Sequence, residues 1–255
     1  MIRLLALLIL LLLPLHAEAE EVVAGLSQNR IAITSNFDGS EIFIFGAVKR
    51  DSPQPTEEGA LEVVITVAGP SVPVTVRRKE KRYGIWVNTD AIEVDAAPSF
   101  YAIATSGPFE QVLSDVEDLR NKISIPRAIR SVGAPMDVED APSFTEALIR
   151  IRSKADLYQL RENSIEITDQ TLFKTTVALP ANLTEGTYTA RFFLTRNGNV
   201  LDEFEEKIEV QKVGLERFLY NLAHERPLIY GLMSLAIAIA AGWLASAVFR
   251  YFRAG

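Results

Sequence analysis

Few residues in this chain of 255 have the types and spacing that chemistry needs. The densest group is cationic: Arg77, Arg78, Lys79, Lys81 and Arg82 surround Glu80. Such a cluster attracts an anion, whether a lipid headgroup, an acidic partner or a small oxyanion, and guanidinium groups add paired bonds to carboxylate or phosphate. The same run also reads as a solvated hairpin tip whose charges keep a sheet edge from aggregating. A second group is acidic: Asp137, Glu139 and Asp140. Two converging carboxylates suffice for hydrolytic acid–base work, but in a proline-bearing loop they read as solvated charges. There are two histidines, His16 and His224, each beside an apolar run, and no cysteine. A Ser-His-Asp triad or a His/Cys metal site therefore has no parts in the chain between them. No catalytic residue, metal ligand or cofactor is assigned, and the chain is expected not to be an enzyme. A formal charge of −7 argues against nucleic acid as a partner.

The elements that would position these residues are mainly strands. Arg30–Thr34 alternates, Phe37–Ser40 is a turn cluster, and Glu41–Val48 and Leu61–Val67 are rich in β-branched and aromatic residues. Val72, Val74 and Val76 alternate along a further strand in which Pro73 marks an edge. The basic turn 77–82 follows, leading into Tyr83–Asn88, whose alternation places Trp86 in the core. After strand-like Phe100–Thr105 the period changes. Phe109, Val112, Leu113, Val116, Leu119 and Ile123 form the apolar face of one helix that ends before Pro126. Residues 127–142 read as a loop. Ser143 and Glu146 then have capping-box spacing for a second helix, which carries Phe144, Leu148, Ile151 and Ala155 on one face and reaches about Leu160. Ile165–Ile167, Leu172–Leu179, Thr187–Thr195 and Val200–Val210 return to β, with Asn197-Gly198 as a hairpin turn. The fold expected is an immunoglobulin-like sandwich with a two-helix insertion, plus one C-terminal transmembrane helix. The β-rich domain, 20–212, is either one elaborated body or two lobes, 20–106 and 164–212, around a helical insert, 107–163.

Both ends of the chain are apolar. Arg3, the leucine run Leu4–Leu13, Pro14 and the small residues Ala17 and Ala19 have the form of a signal peptide, 1–19, cleaved before Glu20. Leu228–Phe249 lacks any charged side chain and would cover about 33 Å as a helix, enough to cross a bilayer. The span is taken as 227–249, preceded by a juxtamembrane helix over 213–226. That helix either runs straight into the span or lies at the outer leaflet, broken at Pro227. Arg250 and Arg253 make the tail, 250–255, cytoplasmic. The bulk of the chain is then expected in the periplasm, held to a bacterial inner membrane by a single pass. Within the span, Ser234, Ala238, Gly242, Ala245 and Ser246 form a small-residue stripe on which another helix could pack closely.

Several words of the sequence carry a resemblance: Arg30–Thr34, Phe45-Gly46, Gly69-Pro70, Arg77–Glu80, Gly84–Asn88, Pro98–Ala102, Glu146–Arg150, Leu179–Asn182 and Gly186–Tyr188. Together they resemble the alphaproteobacterial putative transmembrane protein family (Alph_Pro_TM) over nearly the whole mature chain. The resemblance implies a signal-bearing, single-span protein, with no catalytic residues to carry onto these positions. It also implies a neighbourhood: members are often encoded beside a TauE/SafE-type sulfite exporter, which makes an integral membrane transporter of the sulfite or organosulfonate type an expected partner. The function expected is that of a non-enzymatic accessory to such a membrane protein. The alternative is a periplasmic anion-binding or sensor module using the basic turn 77–82.

Overall fold

The computed structural model describes residues 20–34, 36–50, 59–131 and 140–253. The expected signal peptide, most of the loop after Lys49, and Asp137 and Glu139 lie outside the described residues. Seven strands come first: β1 Glu21–Leu26, β2 Arg30–Ile33, β3 Ser40–Lys49, β4 Leu61–Ala68, β5 Ser71–Arg82, β6 Ile85–Pro98 and β7 Tyr101–Thr105. Helices α1 Phe109–Val112, α2 Asp115–Asn121, α3 Ile125–Ala128 and α4 Ala141–Lys154 follow. Strands β8 Tyr158–Arg161, β9 Glu166–Thr168, β10 Leu172–Leu179, β11 Gly186–Arg196 and β12 Asn199–Lys212 complete the β region, and α5 Leu215–Glu225 and α6 Pro227–Arg253 end the chain. The chain divides into two compact units, the larger including Asp38–Glu209 and the smaller Ala32–Phe37 with the chain from Val210.

The strands form a four-stranded sheet, β1-β3-β10-β9, a six-stranded sheet, β2-β12-β11-β4-β7-β8, and the separate hairpin β5-β6. Strands from 20–106 and from 164–212 share both larger sheets, because β3 pairs with β10 and β4 with β11. The run Val63–Val67 explains why β4 sits inside: it is wholly β-branched and buried throughout, as a strand covered on both faces must be. Ile65 lies opposite Phe192 and Val64 opposite Phe193. Phe192 meets Phe173 of β10, ring centroids 6.4 Å apart, so that face packs against the four-stranded sheet. Val64 and Phe193 belong to a second core, shared with Val76, Ile92 and Val94 of the hairpin and with Val112, Leu113, Ile123, Phe144 and Leu148 of the helices and the links between them. Two facing sheets and a third layer of helices and hairpin result. Each large side chain buried this way contributes about 1.5–3 kcal/mol relative to exposure. The mainly β architecture and the single C-terminal apolar helix agree with expectation, and the facing sheets are compatible with an immunoglobulin-like sandwich.

The helical insert departs from its reading as two helices. The helix expected over 109–123 breaks after Val112, because the Ser114 N–H donates to the Gly198 carbonyl at 2.9 Å, in the β11–β12 turn. It ends again at Lys122, left-handed at φ 53°, where Asp118 Oδ1 accepts from the N–H groups of Ile123 and Ser124. The break resets the helical face. Val112, Leu113 and Ile123 are buried as expected, but Val116 and Leu119 are exposed. Glu117 is buried instead, accepting from Arg120 at 2.5 Å and from Asn121 at 3.0 Å. Pro126 stands in the first turn of α3 rather than only ending a helix, as suits a residue without an N–H. Helix α4 begins at Ala141, with Asp140 at its N-cap, so Ser143 lies in its first turn. Of its expected apolar face Phe144 and Leu148 are buried, whereas Ile151 is exposed. It stops at Lys154, not near Leu160, since Asp156 takes φ 56° and Tyr158–Arg161 joins β7 as a parallel strand. Sequence reading also missed β1, whose residues lie before the first alternation it used.

One buried hydroxyl ties the helical layer to the sheet. Tyr101 of β7 donates to the Ile123 carbonyl at 2.8 Å, and burial pushes its pKa up to about 12. The unfolded chain ionises nearer pH 10, so stability is full below about pH 10 and is lost as pH rises toward about 12. In alkaline titrations followed by circular dichroism, Tyr101→Phe should shift the onset of unfolding upward. An unchanged alkaline limb would refute this assignment.

Candidate functional site

The cationic residues singled out in the sequence stand on the hairpin, though not in a turn. Residues 77–82 are the last six of β5, and the turn is Tyr83-Gly84. Both turn residues have positive φ, 51° and 87°, the requirement of a tight two-residue hairpin loop. At Gly84 that need is met without strain.

A strand sends successive side chains to opposite faces, and this divides the five cations. Arg78 faces the body: its Nη2 donates to Ser143 Oγ at 2.7 Å and Asp140 Oδ2 at 3.2 Å, it lies 3.8 Å from Asp90, and its guanidinium sits 4.7 Å from the Phe144 ring centre. The hydrogen bond with Ser143, joined by the hydrogen bond and charge of Arg78, outweighs desolvation and holds the Asp140 carboxyl below its ordinary range. Arg78 is thus a staple between hairpin and α4. Arg82 shares its face of the strand and lies 3.5 Å from Glu80. Arg77, Lys79 and Lys81 occupy the other face, all exposed, and among the described residues none has an ion-pair partner. Along the strand they follow one another at about 7 Å.

The aromatic expectation at this site is overturned. Trp86 is not in the core but 68 % exposed, with Tyr83 and Ile85 also exposed. Trp86 lies directly opposite Lys81, hence on the face of Arg77, Lys79 and Lys81. The register shift between Arg78 and Lys79, a β-bulge, falls between this tip and the base of the hairpin, where Val76 and Ile92 enter the core.

The second candidate surface is α6. Pro227–Phe249 is long and apolar enough to cross a membrane, and none of it is buried. The chain leaves helical geometry at Arg226, so α5 and α6 are separate helices. Ser234, Ala238, Gly242, Ala245 and Ser246 are all exposed along α6, and a Cβ built at Gly242 meets nothing within 4 Å. Among the described residues, no group of three or more His, Cys, Asp or Glu side chains is arranged to hold a metal ion.

These features define a mainly β protein with one C-terminal helix long and apolar enough to cross a membrane. The chain belongs to the family described as "Putative transmembrane protein (Alph_Pro_TM)", whose model matches residues 21–251. No curated protein matches it. The crystal structure of Spo0M, a sporulation control protein from Bacillus subtilis, aligns over 80 % of this chain at 10 % identity and a TM-score of 0.27. The alignment takes in 54 % of that protein's chain, about half its length.

Proposed function

We propose that this protein is a non-enzymatic, single-pass membrane protein that works by contact with another integral membrane protein. In this reading the β-sandwich lies on the periplasmic side of a bacterial inner membrane and the tail on the cytoplasmic side. The observation that carries it is the stripe Ser234, Ala238, Gly242, Ala245 and Ser246, exposed along α6. In lipid, where apolar surface gives no drive for association, small residues that let backbones approach are what favours helix pairing. The partner nominated by the family resemblance is a sulfite or organosulfonate exporter. The test is affinity isolation of the full chain from mild-detergent membranes, beside a version whose span is poly-leucine. A transporter should accompany the native span and be lost with the replacement. Retention with poly-leucine, or no membrane protein with either, overturns the reading.

A second reading, an anion-binding or sensor module at 77–82, is favoured by one observation: Arg77, Lys79 and Lys81 stand in line on one exposed face. Reversing those three charges should abolish anion binding measured by calorimetry, and unchanged binding would exclude the site.

A further inference from the structure

We infer that the tip of the β5–β6 hairpin is a lipid-docking element, seating Trp86, Ile85 and Tyr83 in the interfacial zone of an anionic bilayer while Arg77, Lys79 and Lys81 meet its headgroup phosphates. The inference rests on the second reading above, and it names the anion as a membrane surface.

Three observations converge on it. First, the tip exposes three large apolar or aromatic side chains close together, Tyr83 in the two-residue turn and Ile85 and Trp86 at the start of β6. Tyrosine and tryptophan are the residues whose apolar rings and polar edges suit the boundary between acyl chains and water. Second, the charge beside Trp86 is of one kind, while Ile85 lies opposite Arg82 on the other face. Lys79 and Lys81 share the face of Trp86, Arg77 continues it toward the base, and the one carboxylate in the run, Glu80, lies on the opposite face beside Arg82. In a chain of formal charge −7 this face runs against the average, and its complement is an anionic surface. A small oxyanion would satisfy the cations but would leave the aromatic side chains in water, whereas a bilayer satisfies both. Third, the chain already carries a helix long and apolar enough to cross a membrane, so a bilayer is the partner every copy holds near at hand. Long Lys and Arg stems add apolar cover while their charged ends reach the phosphates.

Trp86 also supplies the probe. The sequence has two tryptophans, so Trp243→Phe leaves Trp86 as the only one in the full chain. That chain is reconstituted into nanodiscs of phosphatidylcholine alone or mixed in roughly equal parts with phosphatidylglycerol, with some lipids brominated near the head of the acyl chain. Trp86 emission should shift to the blue and be quenched by the brominated lipid, several-fold more with phosphatidylglycerol than without. Lys79→Glu with Lys81→Glu should remove most of that quenching. Both positions are exposed, so the fold is retained, and the Trp86→Phe chain, reporting from Trp243, verifies insertion. Emission that stays water-like in both discs and remains open to iodide overturns the proposal. So does shielding from iodide without lipid quenching, which would mean that protein covers the tip. A response to inorganic phosphate without lipid quenching would keep the anion-site reading and sink the lipid one.

Discussion

Replacing Gly46 with alanine should destabilise the larger unit by about 3 kcal/mol or more, at or beyond the usual cost of overpacking a core. Gly46 lies mid-β3, opposite Ala24 on one side and Phe173 on the other. A Cβ there would stand 2.7 Å from the Val23 carbonyl oxygen and overlap the Phe173 ring, whose Cε1 would be 2.8 Å away. Neither neighbour has room to give. The carbonyl is backbone, so moving it separates β1 from β3, and the ring is buried against Phe192. Denaturant midpoints of the full chain in micelles provide the measurement. Phe173→Ala should cost about 3–5 kcal/mol alone yet recover part of the loss when combined with Gly46→Ala, because the two share one clash. Additive effects would show that the overlap is not what Gly46 avoids.

The second large effect is expected at Glu20. Its carboxylate accepts from Arg50 Nε at 2.6 Å and from Arg196 Nη2 at 2.7 and 2.9 Å. Side-chain exposures are 11 % for Glu20, 14 % for Arg50 and 9 % for Arg196. Arg50 follows β3 in one sheet and Arg196 ends β11 in the other, so a single anion joins the two. Glu20→Gln removes the charge that both guanidiniums share, at a cost of about 3–5 kcal/mol for breaking a mostly buried pair. Burial alone would raise the Glu20 pKa, but the hydrogen bonds from Arg50 and Arg196, with their attraction, outweigh it and leave it lowered from 4.5. A carboxyl depressed by folding contributes stability that is present above its unfolded pKa and lost as pH falls through the folded one. The native chain should therefore weaken steeply below about pH 4.5, and Glu20→Gln should flatten that acid limb. Equal acid slopes in the two proteins would refute the clamp.

What the sequence made legible follows from where one rule acted alone. The alternation of β2, the β-branched run of β4 and the Asn197-Gly198 turn each matched a single local pattern, and each is in the structure. The insert was misread because a distant group intervened: the Gly198 carbonyl takes the Ser114 N–H, which no periodicity reveals. Tyr158 was read into a helix because its role is tertiary, its hydroxyl donating to the Pro98 carbonyl at 2.9 Å beside β7. Trp86 was misplaced for a reason the sequence did contain. Residues 77–82 include five cations and a carboxylate in a row, so that arm of the hairpin has no apolar face, and the residue paired with Lys81 has no core beside it. The stripe on α6 was visible as spacing, and the structure leaves it exposed along the helix.

The pairing of β3 with β10 and of β4 with β11 also sets a timetable. Neither sheet can close on residues near its own place in the chain, since each central partner is made more than a hundred residues later. During vectorial synthesis the early strands must wait, with β4 the most apolar and aggregation-prone among them, until β11 has emerged. By then the next segments to arrive are β12 and the two C-terminal helices, the second of them apolar. The two sheets and the apolar helix are thus completed almost together, and a chain stalled before β10 has only the pairs β1–β3, β4–β7 and β5–β6 to form.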